Sequence, residues 1–161
     1  MKVYSIGKLT SLGEGDTREL MRDHYSQIYP LCYIQDVTGG HEHAVGLHHC
    51  GENIERLCTI QRSDAFRKFA RTIKTEIEKW WPVNPYHPYS IVIADDTGSH
   101  TAVSWARITG MMLDSDYKVS VEHLSLQTWS WKMCDDCQNC RLDGRGKDRL
   151  CQTLVEFYRS I

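Results

Sequence analysis

Apolar positions along this chain fall alternately into short runs and helical stripes. Val3–Ile6 is a short run that suits an opening strand. Thr17–Tyr29 sets Leu20, Met21, His24 and Ile28 on one helical face and stops at Pro30. Leu31–Gln35 is apolar enough for a buried second strand, followed by a glycine- and histidine-rich loop from Thr38 to Cys50. Glu52–Ile60 carries a weaker helical pattern. The clearest stripe lies within Ser63–Trp81, where Phe66, Phe69, Ala70, Ile73, Ile77 and Trp80 recur at helical spacing behind a Ser63 N-cap, and Pro82 ends it. Tyr89–Ala94 is a β-branched run that predicts a strand buried on both faces. A helix from about His100 to Leu113, a strand over Lys118–Glu122 and a closing helix over Asp148–Ile161 complete the pattern. Asp143–Lys147 reads as a flexible connection.

Strands that alternate with helices predict an α/β fold, a mainly parallel sheet of about four strands covered by helices. The expected organisation is a single α/β domain over residues 1–128. A Trp- and Cys-rich C-terminal extension over residues 129–161 ends in the closing helix.

Composition narrows the function classes. A net charge of −2 excludes a strongly cationic nucleic-acid binder but leaves room for a local basic stripe. Arg67, Lys68, Arg71, Lys74 and Lys79 form such a stripe, either a solvated helix face or, through Arg67, Lys68, Arg71 and Lys74, a footprint for RNA. No apolar stretch approaches roughly 18 residues, so no membrane span is expected. Residues 1–7 lack the apolar core of an export signal, which makes a cytoplasmic location the expectation. In that compartment the seven cysteines are expected as thiols or metal ligands rather than disulfides.

Ligands of open α/β sheets bind beyond the carboxyl ends of the strands. Three such ends are polar here: Asp36 with His41 and His43, then Asp95–Thr101, then His123. In the central segment, Asp96, Thr97, Gly98, Ser99, His100 and Thr101 link a buried strand to a helix. Gly98 allows close backbone approach, and the helix-start N–H groups can hold an anion. The same segment reads equally as ordinary N-capping by Ser99 or Thr97. Asp96-Thr97-Gly98-Ser99 also spells the aspartic-protease motif, which needs two aspartates sharing a proton. Metal binding is a further alternative, structural or catalytic. His41, His43, His48, His49 and Cys50 crowd one loop near the aspartates, and Cys134, Cys137 and Cys140, with Cys151 beyond them, have spacing that suits zinc. No other cofactor is called for.

The motifs Ser5-Ile6-Gly7, Asp36-Val37-Thr38, Asp95-Asp96-Thr97-Gly98-Ser99-His100-Thr101-Ala102 and His123-Leu124-Ser125 occur in the order and near the spacing of the RapZ C-terminal domain family, which residues 1–128 resemble. The resemblance implies a domain that binds an amino-sugar phosphate and small RNA and forms homo-oligomers. His100 and His123 match the family's histidines. The central loop is one residue shorter than the family's, Asp96 replaces its cysteine, and Thr38, Thr101 and Leu124 stand near the places of its three arginines. The fold therefore carries over better than the ligand, and cysteine-dependent phosphatase chemistry is excluded. The expectation is a non-enzymatic binding domain for a phosphate-bearing metabolite or RNA, using Asp36, Asp96, Thr97, Gly98, Ser99, His100, Thr101 and His123.

Overall fold

The structure is a computed structural model that describes residues 1–8, 19, 33–38, 54–84, 86–96, 101–125 and 144–161. Among them are four strands and four helices. Strand β1 is Lys2–Gly7, β2 Tyr33–Asp36, β3 Ser90–Asp95 and β4 Ser120–His123. Helix α1 is Ile54–Arg62, α2 Asp64–Trp80, α3 Thr101–Leu113 and α4 Gly144–Ser160. The predicted helix over Thr17–Tyr29 and the histidine-rich loop beyond Thr38 lie outside the described residues.

The strands form one parallel sheet in the order β2-β3-β1-β4. Lys2 to Gly7 pair in register with Ser90 to Asp95, which makes β1 and β3 the central pair. Alternation along these strands sorts the side chains. Val3, Ile91 and Ile93 face the helices, while Tyr4, Ile6, Val92 and Ala94 form a second, fully buried cluster on the other face. This two-sided burial is what the continuous apolar run of β3 predicted.

Helix α3 lies directly on β1 and β3, and α1 and α4 pack over it. That middle position explains its sequence, Thr-Ala-Val-Ser-Trp-Ala-Arg-Ile-Thr-Gly-Met-Met-Leu, which is apolar almost all round rather than striped. Gly110 is required where α3 meets β4, since a Cβ there would collide with Val121 Cγ2. Helix α2 starts as the sequence predicts, with Ser63 Oγ accepting from Phe66 N at 3.2 Å.

The closing helix departs from expectation at its start. It begins at Gly144, inside the segment that reads as flexible. Glycine costs about 1 kcal/mol in a helix interior. Its cost is outweighed here by burial of Leu150, Leu154 and Tyr158, which join the same core as α2 and α3. Lys74 Nζ further holds the end of α4 by donating to the Tyr158 and Ile161 carbonyls at 3.2 and 2.7 Å.

Candidate functional site

The carboxyl ends of β1, β2 and β3 converge on a small charged network. Lys8, directly after β1, places Nζ 2.7 Å from Asp36 Oδ2 and 3.7 Å from Asp96 Oδ1. Asp36 closes β2 and folds back on its own chain, Oδ1 accepting from Thr38 N at 2.8 Å. Thr38 Oγ1 in turn donates to Asp96 Oδ1 at 3.4 Å. Partial burial alone would raise the Asp36 pKa, but the hydrogen bonds from Lys8 and Thr38 outweigh it and hold the carboxyl below its ordinary range. Burial likewise opposes the Lys8 charge, and the two aspartates overcome it and raise its pKa.

The two adjacent aspartates have separate duties. Asp95 shares the helix-facing side of β3 with Ile91 and Ile93, and its Oδ2 accepts from Ala102 N at 2.8 Å. It therefore satisfies one of the orphan N–H groups at the start of α3. Asp96 belongs to the Lys8 network, so a lysine ammonium stands between Asp36 and Asp96. Beside them Arg56 Nη2, from α1, donates to Thr101 Oγ1 at 2.9 Å.

Next to this network lies a cavity of about 500 Å³ between β2, α2 and the first turns of α3. Tyr33, Gln35 and Val37 line it as alternate residues of the β2 edge. Ala65, Lys68, Phe69 and Thr72 line it as one stripe of α2. Trp105 stands at its back, and Asp36, Thr38 and Thr101 contribute polar groups. Helix α2 leads back to the start of β3, so Lys68 sits nearer the strand carboxyl ends and Thr72 deeper. Phe69 packs against both other rings, centred 6.0 Å from Tyr33 and 5.6 Å from Trp105. Two wall groups are already engaged: Thr72 Oγ1 donates to Lys68 O at 3.1 Å, and Gln35 Nε2 donates to Asp36 O at 2.9 Å. Lys68 Nζ has no carboxylate partner among the described residues.

Of the residues the sequence nominates, Asp36, Asp96 and Thr101 are brought to this corner of the sheet. Thr97, Gly98, Ser99 and His100 lie outside the described residues. His123 is elsewhere: β4 is separated from β3 by β1, and His123 does not line the cavity. Its Nδ1 shares a 2.7 Å hydrogen bond with Ser5 Oγ, its direct register partner on β1. Ser125 Oγ then accepts from Gly7 N at 2.8 Å and extends the β1–β4 pairing past the last ladder residue. The β2 corner opens onto the cavity.

Cys151 lies half-buried on α4, where burial raises its thiol pKa. Cys134, Cys137, Cys140 and the histidines at 41, 43, 48 and 49 are outside the described residues. Among the described residues no three His, Cys, Asp or Glu side chains are grouped to hold a metal ion. No helix among them is long and apolar enough to cross a membrane. The parallel sheet is also a different architecture from the all-β framework of aspartic proteases, so the Asp96-Thr97-Gly98-Ser99 motif has no such fold around it.

Sequence reasoning missed Lys8, Thr38, Arg56 and the aromatic wall. Lys8 had a usable signal, since the strand-end rule applies to β1 as well as to β2 and β3. Arg56 had none, because only the packing of α1 against α3 carries it to Thr101. No protein-family model matches the chain, and no curated protein sequence matches it.

Proposed function

We propose that this domain binds a small phosphate-bearing metabolite, without catalysis, in the cavity beside the carboxyl ends of β2 and β3. The observation that carries the reading is the lining of that cavity. Lys68 and Thr101 offer donors, beside the aromatic side chains of Tyr33, Phe69 and Trp105. A volume of about 500 Å³ lies within the roughly 300–1,000 Å³ usual for small-molecule sites. The phosphate would take a hydrogen bond from the Thr101 hydroxyl and charge from Lys68, with Arg56 behind Thr101. Adjacent carboxylates would ordinarily repel an anion. Here the three cations Lys8, Lys68 and Arg56 match Asp36, Asp95 and Asp96 in number, so the mouth is not strongly negative.

A small ligand is favoured over RNA by the disposition of α2. Lys74 is spent on the end of α4, and the Arg67 guanidinium lies over the Phe157 ring. Only part of the basic stripe is left for a phosphate backbone. Thermal shift with sugar phosphates, nucleotides and inorganic phosphate tests the proposal. A ligand at 100 times its Kd adds about 2.7 kcal/mol, a rise of roughly 5–11 °C for a chain of this size. The rise should be lost in Lys68→Met and Thr101→Val. No rise with any phosphorylated compound, or one unchanged in both variants, refutes it.

A further inference from the structure

The shape and chemistry of the cavity narrow the ligand further. On the premise that the cavity binds a phosphorylated metabolite, we infer that its ligand is a nucleoside monophosphate rather than a sugar phosphate. Three observations lead there.

The deep part of the cavity is apolar. Tyr33, Phe69 and Trp105 form most of it. Of the polar groups among them, Thr72 Oγ1 and Gln35 Nε2 already donate to Lys68 O and Asp36 O, and the Tyr33 hydroxyl donates to Gln35 Oε1 at 3.5 Å. A sugar ring pushed against this wall would bury hydroxyls without partners, and each such group costs about 1–3 kcal/mol. A nucleobase presents an apolar π-face instead, and contact between a base and aromatic side chains is favourable for every base.

Asp36 is the last residue of β2 and stands at the mouth. Each carboxylate oxygen already accepts one hydrogen bond, Oδ1 from Thr38 N and Oδ2 from Lys8 Nζ. Each keeps a second lone pair, so the group can still accept from the two vicinal hydroxyls of a ribose. In dinucleotide-binding α/β sheets an acidic side chain takes the ribose 2′-hydroxyl in this way. Lys8 keeps Asp36 ionised, the form that accepts from both hydroxyls.

The cavity is also long enough. Its residues run from Tyr33, the first residue of β2, to Thr38 beyond its end, a span of about five residues or roughly 16 Å. Base, ribose and phosphate fit that length in order: base against the rings, ribose beside Asp36, phosphate at Thr101 and Lys68. A hexose phosphate would leave the deep end empty.

The test is a titration of the full chain with AMP, UMP, glucose 6-phosphate and inorganic phosphate, by calorimetry and by ligand-observed saturation-transfer NMR. AMP or UMP should bind at least tenfold tighter than glucose 6-phosphate, with strongest saturation on the base protons. Phe69→Leu should weaken AMP severalfold and leave inorganic phosphate unchanged, while Lys68→Met should weaken both. Asp36→Asn should weaken AMP more than its 2′-deoxy analogue, because only AMP offers the full diol. Glucose 6-phosphate binding as tightly as AMP, or saturation confined to the ribose, overturns the nucleotide inference and leaves the phosphate reading standing. Absence of binding by all four compounds overturns both.

Discussion

Phe66 and Phe69 sit one turn apart on the same face of α2, and truncating each to alanine should give different costs. Both are in the core, and Phe66 is fully buried against Phe69 and Trp105 with centroids 5.8 and 5.4 Å away. It does not line the cavity. Phe66→Ala therefore leaves a closed void, and Phe→Ala in such places costs about 3–5 kcal/mol. Of that, a void on the order of 100 Å³ at about 24 cal/mol per Å³ accounts for roughly 2.4 kcal/mol. Phe69 forms the wall of the solvent-connected cavity, so its removal enlarges a space water already reaches and most of the void cost disappears. Working the other way, Phe69 loses one more aromatic neighbour, Tyr33, at about 0.5–1.5 kcal/mol. The balance makes Phe66→Ala the more damaging by about 1–2 kcal/mol. Urea unfolding followed by tryptophan fluorescence, with unchanged m values, measures both. A larger cost for Phe69→Ala would mean that the cavity is sealed and dry, and would undo the argument that it can admit a ligand.

Other expectations follow from single contacts. Asp95→Ala should cost about 1–2 kcal/mol in urea unfolding through loss of the acceptor for Ala102 N, and a neutral result would remove its capping role. Gly110→Ala gains about 1 kcal/mol of helix propensity but forces α3 off Val121, which at about 1–3 kcal/mol should leave it destabilised; the same change in a Val121→Ala background should be stabilising. Lys8→Met should alter both limbs of the stability–pH profile, read as Tm from pH 2 to 11. The lowered Asp36 pKa gives stability present above the ordinary carboxylate value of 3.8 and lost as pH falls through the lower folded value. The raised Lys8 pKa gives stability present below 10.5 and lost as pH rises through the folded value. Both slopes should flatten in the variant, modestly, because the Asp36 side chain is 53% exposed; unchanged slopes would refute the network.

The fold was largely legible because its signals are local. The β-branched run of β3 and the stripe of α2 with its Ser63 cap each point to one structure only. The site was half legible. Asp36, Asp96 and Thr101 follow from the rule that polar strand ends carry ligands, and the structure gathers them. His123 follows from the same rule, but the rule cannot tell which strands are neighbours. The order β2-β3-β1-β4 sends it past β1 to Ser5, a fact no local pattern contains. The aromatic wall was hidden for a related reason. Phe69 and Trp105 look like plain core residues in a helical stripe, and only the edge position of β2 leaves part of that core facing a void. Gly144 and Gly146 misled differently, since propensity argues against a helix that tertiary packing imposes.

The sheet order also bears on how the chain is made. Residues 2–7 form a central strand, yet both partners lie far along the sequence, at residues 90–95 and 120–123. At about 5–20 residues per second, β1 waits roughly 4–18 s after synthesis for β3 to exist. Through that interval Val3, Tyr4 and Ile6 have neither ladder partners nor a packed face. Such long-range parallel pairing is slow to form and leaves apolar strand open to wrong neighbours. Yield should therefore depend on temperature and chaperone supply more than the stability of the finished domain would suggest, most of all where translation is slow.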